Sequence, residues 1–219
     1  MLNNTARQNM IEQQIRTWEV LDASVLALYA DASIAREKFI PDAQQKSLAY
    51  ADMALPIGSG QLMLEPKLEA RMLQALAPRA DEHILHIGCG SGFFAALLGK
   101  LAGTVVSVEI RPELAASAAA RLSTVAPNVT VVEGDGAHGW AAAAPYDAIV
   151  LTGATSVLAE EFLAQTKDNG RVLAVVGSPP AMTLRLWHKN NGVVFLQHDI
   201  LETDIPLLDN APTAAAFLF

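Results

Sequence analysis

From Glu82 onward, short β-branched runs alternate with amphipathic ones, and this alternation limits the possible folds more than any other feature of the chain. Residues 84–87, 104–109, 129–133, 148–152 and 171–176 are rich in Val, Ile, Leu and Ala and predict buried strands. Between the first two, Phe94, Leu97, Leu98 and Leu101 follow the i, i+3, i+4, i+7 spacing of a helix. Residues 112–124 and 156–167 predict further helices. Strand–helix alternation with apolar strands implies a parallel sheet covered on both faces. Near the C-terminal end, residues 182–188 and 193–198 flank Asn191-Gly192, a hairpin signal, so an antiparallel pair is expected to close one sheet edge.

The preceding residues differ in character. Residues 6–30 are helical in pattern: Met10, Ile11 and Ile15 share one face, and Val25, Leu26 and Tyr29 share another behind the N-cap Asp22. Residues 55–60, Leu-Pro-Ile-Gly-Ser-Gly, predict a loop with tight turns. Pro66 suits the first turn of a helix, and Leu68, Met72 and Leu76 repeat at intervals of four behind it.

Composition narrows the function. The 219 residues are 52% hydrophobic and 17% charged, ample for a core. With 15 Lys+Arg against 23 Asp+Glu the net charge is −8, and the cations form no basic run, so nucleic acid is excluded as an expected partner. Cys89 is the sole cysteine, which rules out an internal disulfide, and no Asp/His spacing commits the chain to a metal. Residues 1–16 lack the apolar stretch of a signal peptide, and the charge-free run 172–184 is short and broken by Pro179 and Pro180. A cytoplasmic protein with no membrane partner is expected.

The first predicted strand ends in His86-Ile87-Gly88-Cys89-Gly90-Ser91-Gly92, with a helix following. Such glycines let a backbone turn sharply and approach a ligand at the helix N-terminus. Glu109 ends the second strand, 21 residues after Gly88, where a carboxylate accepts the hydroxyls of a ribose. The dinucleotide fingerprint needs Gly or Ala at its sixth position, which here is Phe93. The Gly-x-Gly-x-Gly spacing fits S-adenosylmethionine better. Gly134-Asp135-Gly136 after the third strand supports that choice, since Asp135 can accept from an adenine amino group. Ile110 and Gly136 complete the expected cofactor contacts.

Together with these motifs, Arg36-Glu37-Lys38-Phe39, residues 54–61 (Ala-Leu-Pro-Ile-Gly-Ser-Gly-Gln), Ser107-Val108-Glu109 and Pro145-Tyr146-Asp147-Ala148-Ile149 resemble the protein-L-isoaspartate O-methyltransferase family. The resemblance covers most of the chain. It implies an α/β fold: a Rossmann-like, seven-stranded class I methyltransferase sheet with an antiparallel C-terminal hairpin and an N-terminal helical extension. It implies one domain over 1–219, with N-terminal helices in 1–46, a substrate-side loop in 47–65 and a cofactor-binding core in 66–219. It further implies S-adenosylmethionine as cofactor, S-adenosylhomocysteine as product, and methylation of isoaspartyl carboxylates in damaged peptides and proteins. The alternatives are a same-fold methyltransferase acting on a small apolar molecule, and a cofactor-binding homologue without catalysis.

Two departures bear on chemistry. After Gly-Gln the family pattern reads Thr-Ile-Ser-Ala/Gln-Pro, whereas Gln61 is followed here by Leu62-Met63-Leu64-Glu65-Pro66. Leucine thus stands at both hydroxyl positions, and no catalytic residue is assigned. Family glycine turns also begin with an acidic residue, and here His86 takes that place. His86 either contacts the cofactor's amino group as a neutral ring or is structural. Glu65 is expected to cap the helix at Pro66, Cys89 to pack while presenting its backbone N–H, His138 to lie on a surface loop, and Trp18 and Tyr50 to pack.

Overall fold

The computed structural model describes residues 2–213. The expected domain range therefore reaches past the described residues at both ends. Helix α1 (Leu2–Met10) runs on through a π turn, Ile11–Ile15, and a 3-10 turn, Arg16–Trp18, stopping at Glu19 with φ 60°. Helix α2 (Ala23–Ala30) is capped as expected, with the Asp22 carboxylate accepting from Ser24 N at 2.8 Å and Val25 N at 3.1 Å.

Residues 55–63, expected as loop, instead form a hairpin of β1 (Leu55–Gly58) and β2 (Gln61–Met63). Ser59 and Gly60 both have positive φ, which matches the right-handed twist of paired strands and turns the chain back. Helix α3 (Pro66–Leu76) follows with Pro66 in its first turn and Leu68, Met72 and Leu76 buried.

The remaining elements build the sheet. They are β3 (His83–Ile87), α4 (Phe93–Leu101), β4 (Thr104–Glu109), α5 (Pro112–Val125), β5 (Val129–Glu133), β6 (Tyr146–Leu151), α6 (Glu160–Ala164), β7 (Thr166–Ser178), β8 (Ala181–Asn190) and β9 (Val193–Thr203). Seven strands lie in the order β5-β4-β3-β6-β7-β8-β9. The first five are parallel, while β8 and β9 form the antiparallel edge turned by Asn191 and Gly192, both at positive φ. Side chains alternate between two cores. Ile84, Val105, Ala148 and Leu173 face α3, α4, α5 and the N-terminal helices, whereas Leu85, Val106, Ile149 and Val172 face Tyr146, Phe162 and Trp187. Among the described residues, no helix is long and apolar enough to cross a membrane.

The helix expected over 156–167 is cut to α6, and Thr166 already belongs to β7, paired with Tyr146. Tertiary pairing wins over local pattern here. Ala154 bridges Leu207, Thr155 bridges Val176, and the Thr155 hydroxyl donates to Val157 O at 2.6 Å, which holds 154–157 extended.

Two buried ion pairs fasten α3, one to the sheet and the other to the N-terminal segment. Arg171 meets Glu82 through both guanidinium arms at 2.7 and 2.8 Å and also donates to Leu76 O and Ala77 O, joining the end of α3 to β7. Arg36 pairs with Glu69 of α3 and donates to Ala49 O at 3.0 Å and Leu64 O at 2.9 Å. Its guanidinium also lies 5.0 Å from the centre of the Phe93 ring. Removing one partner of such a pair strands a charge in the interior and costs about 3–5 kcal/mol. Arg36→Met is expected to lower stability to urea by that amount, and Glu69→Leu in the same chain to recover part of it. A double variant no more stable than the single one would transfer the cost to the Ala49 and Leu64 carbonyls.

Candidate functional site

Because β3 is flanked by β4 on one side and β6 on the other, the connections diverge at its C-terminal end and open a crevice there. The glycine turn fills the start of that crevice and is wired to β4. Gly88 N and Cys89 N both donate to Val108 O, at 3.0 and 3.1 Å, and Gly90 N donates to Glu109 Oε2 at 2.7 Å. Gly90 has φ 54°, and a Cβ on it would stand 3.0 Å from Ile57 Cδ1, so the turn presses against the β1–β2 hairpin. Gly92 has another function: its Cβ would meet Ala118 Cβ at 3.2 Å, which identifies it as the point where α5 packs closely.

The resulting cleft takes in about 850 Å3 of space, open solvent at its mouth included. Of the residues expected to contact cofactor, Gly88, Cys89, Gly90, Glu109, Ile110, Asp135 and Gly136 line it, and His86 and Gly92 do not. Gln61, Leu62 and Leu64 line the wall opposite the sheet. Leu62 is 40% exposed and Leu64 only 6%. The Cys89 backbone N–H, expected to face a ligand, is spent on Val108. Burial pushes the Cys89 thiol up to about 12, so it is not a nucleophile at neutral pH.

Glu109 is nearly buried, with Oε2 bonded to Gly90 and Oε1 accepting from Arg111 N at 3.0 Å. An ionised carboxylate has about four acceptor positions, so two stay free toward the cleft. Asp135 accepts from Ala137 N at 2.9 Å through Oδ1 and from Asn210 Nδ2 at 2.9 Å through Oδ2. That Asn210 contact belongs to a strap that the sequence did not single out. Residues 204–211 leave β9 and cross the cleft mouth, tied by Ala154 N to Pro206 O, by Leu208 N to Ala154 O, both at 2.8 Å, and by Arg111 to Asp209 at 2.7 Å. Leu207, Leu208 and Asp209 thereby join the lining, with Ser91, Arg111 and Thr152. Of these, Ser91 had a sequence signal, its place inside the glycine turn, and so did Thr152, at a strand end.

His86 is corrected from cofactor contact to structural core. It points under α4, fully buried, with its ring centroid 5.3 Å from that of Phe94. Its Nδ1 lies 2.9 Å from Ser107 Oγ and its Nε2 2.9 Å from Thr152 Oγ1. The Thr152 hydroxyl donates to Gly88 O at 2.8 Å, so Nε2–H must donate to Thr152 and Nδ1 must accept from Ser107. A neutral ring thus links β4, β3 and β6 beneath the glycine turn. Other polar candidates lie elsewhere. Glu65 makes no side-chain cap on α3, contrary to expectation. Exposed His138 faces Glu161 at 3.0 Å, Tyr50 bonds Glu37, and Trp18 stacks under Lys67. Glu69 lines the cleft, and burial pushes its carboxyl up to about 7 against the pull of Arg36.

Burial lowers the His86 pKa from the ordinary 6.5 to about 3. The unfolded chain binds a proton there near pH 6.5 and the native chain does not. Stability is therefore complete above that pH and lost as pH falls from 6.5 toward 3, at about 1.4 kcal/mol per pH unit. His86→Gln, which keeps a donor and an acceptor, is expected to flatten this fall. Urea unfolding at pH 7 and pH 5 would show the wild type losing about 2 kcal/mol more than the variant. Equal losses would mean that the ring takes up its proton in the folded state.

A family model described as protein-L-isoaspartate(D-aspartate) O-methyltransferase (PCMT) matches residues 5–211. A Methylorubrum extorquens protein-L-isoaspartate O-methyltransferase is 37% identical over 210 residues, 95% of this chain and 91% of that protein. One from Methanoregula boonei is 41% identical over 172 residues, 78% of each chain. Among solved structures, a protein-L-isoaspartate O-methyltransferase matches with a TM-score of 0.81 at 22% identity over 93% of this chain, which spans 66% of that protein's length. A Plasmodium falciparum protein described as a β-aspartate methyltransferase (PCMT), in complex with S-adenosyl-L-homocysteine, matches with a TM-score of 0.76 at 17% identity, over 94% of this chain and 98% of that one. The two structures share the fold of this chain. The family model and the relatives above 30% identity go further: this chain belongs to the protein-L-isoaspartate(D-aspartate) O-methyltransferase family.

Proposed function

We propose that this protein methylates the side-chain carboxylate of isoaspartyl residues in peptides and proteins, using S-adenosylmethionine. The observation that carries the reading is the single cleft on which the glycine turn, Glu109 at the end of β4 and Asp135 beyond β5 all open, with the β1–β2 hairpin as its far wall. The fit to the cofactor rests on the two unused acceptor positions of Glu109, suited to a pair of ribose hydroxyls, and on Asp135 at the sheet edge, suited to an adenine amino group.

When bound, S-adenosylmethionine supplies a sulfonium methyl group that passes to an acceptor oxygen. A carboxylate acceptor is already ionised at neutral pH, its ordinary pKa being about 4, so the protein needs no general base. The protein's contribution is positioning and exclusion of water. Gly90 and Ile57 set the gap between glycine turn and hairpin, and the strap through Leu207 and Leu208 covers the cleft. Glu69, held by Arg36, is committed to structure and not to proton transfer.

Leu62 and Leu64 favour a second reading, a small apolar acceptor, because they present hydrocarbon where the family pattern places hydroxyls. Two measurements decide. Glu109→Gln is expected to weaken binding of S-adenosylhomocysteine by about 1.5–3 kcal/mol in calorimetry, the value of charged hydrogen bonds. An unchanged dissociation constant would remove Glu109 from the cofactor site. Leu62→Thr with Leu64→Ser is expected to raise kcat/KM for an isoaspartyl peptide by about tenfold, or roughly 1.4 kcal/mol, with cofactor affinity unchanged. A double variant that binds cofactor normally but methylates no isoaspartyl peptide would transfer the assignment to the small-molecule reading.

A further inference from the structure

Beside the cleft lies a second, smaller cavity, about 310 Å3 with the open solvent at its entrance, which shares Leu62, Leu64 and Pro206 with it. Its deep surfaces are apolar, with Leu64, Leu68 and Ile205 all buried. Two carboxylates line its outer part: Glu65, half-buried at the start of α3, and Asp204, exposed just after β9. Neither side chain has a hydrogen bond or ion pair with any described residue. Nearby cations are committed elsewhere. The Lys67 ammonium lies 2.9 Å from Asp52 and 4.4 Å from the centre of the Trp18 ring, and Arg36 is buried with Glu69.

A hydrocarbon-floored cavity with two unneutralised carboxylates at its entrance matches an aliphatic stem that ends in a cation. The stem buries against leucine while the head group remains at the wet rim beside the acids. An acidic side chain would meet repulsion there, and a neutral one would leave both charges without a partner. We propose that this cavity is a specificity subsite for a lysine or arginine side chain neighbouring the methyl-accepting residue. The assignment of a peptide acceptor rests on the function proposed above; the preference for a cation rests on Glu65 and Asp204 alone. It also accords with the net charge of −8, which draws basic segments toward the protein.

The test uses isoaspartyl peptides that differ only in the residues flanking the isoaspartate: lysine, its neutral near-isostere norleucine, or glutamate. Binding to the protein saturated with S-adenosylhomocysteine is measured by fluorescence anisotropy, and methyl transfer is measured separately with S-adenosylmethionine. The lysine peptide is expected to bind about tenfold more tightly than the norleucine peptide, equivalent to about 1.4 kcal/mol, and the glutamate peptide most weakly. The lysine preference should fall below about twofold in Glu65→Gln/Asp204→Asn, and in about 0.5 M salt, where charges are screened beyond about 4 Å. Equal binding of lysine and norleucine peptides, a preference that survives in the double variant, or no binding of any peptide would overturn the subsite. Methyl transfer without a lysine preference would sink the subsite and leave the proposed reaction standing. A lysine preference in binding without methyl transfer would do the reverse.

Discussion

Arg36 enters the interior with a single partner charge, Glu69, and the geometry of the cleft follows from how its remaining donors are used. One reaches Ala49 O and another Leu64 O, so the guanidinium binds the segment before the β1–β2 hairpin to the segment after it. It lies over the ring of Phe93, the residue directly after the last glycine of the turn. Phe93 also meets Phe39 and Tyr29 edge-on, at centroid distances of 5.3 and 6.0 Å. The position that a dinucleotide-binding fold reserves for a small residue is thus occupied by a ring packed against Tyr29, Arg36 and Phe39 of the N-terminal extension. Burying two charges is expensive, and their attraction repays it only with complete hydrogen bonding, which the carbonyls of Ala49 and Leu64 provide.

On the sheet side, a different network holds the cleft. The glycine turn is suspended from β4 by Val108 O and Glu109, and from below by Thr152, whose hydroxyl reaches Gly88 O. His86 supports Thr152 and Ser107 at once, which requires an uncharged ring with a fixed tautomer. An acidic residue in its place would have to share a proton or carry a charge in a layer capped by Phe94. The neutral imidazole satisfies both hydroxyls without that cost.

Much of this was legible in the chain. Strand positions, the parallel order implied by strand–helix alternation, the Asn191-Gly192 hairpin and the Asp22 cap follow from local pattern, because both faces of the strands are buried and turns need specific backbone chemistry. That Glu109 and Asp135 line the cleft was readable because both follow strand ends beside the glycine turn, where the crevice of such a sheet opens. What escaped depends on distant partners. The β1–β2 hairpin is only a few residues long, with a proline inside it, so no alternation marks it. Helix α6 is shortened by pairing with distant residues: Ala154 with Leu207, Thr155 with Val176 and Thr166 with Tyr146. The strap has no periodicity at all, since backbone bonds to Ala154 and single side chains at Asp209 and Asn210 fix it. The inward turn of His86 was masked by the same ambiguity: a strand-end residue points toward ligand or core according to pleat, and its pleat is that of Ile84.

The two networks support different halves of one cleft, and this separation has a chemical consequence. The sheet edge, Glu109 and the His86 layer form the half suited to a nucleoside. The hairpin and the start of α3, fixed by Arg36, form the half proposed to meet an acceptor. Leu64 illustrates the division, because Arg36 holds its backbone carbonyl whatever the side chain is. The partner of Leu62 across the hairpin is Pro56, again a backbone relation. Side-chain identity at 62 and 64, and the charges at Glu65 and Asp204 beside them, can therefore change what the wall recognises while Gly90, Glu109 and Asp135 keep their geometry. Under the proposed function, a change of acceptor would be carried by these wall side chains, on a backbone that Arg36 holds and that touches the glycine turn where Ile57 faces Gly90.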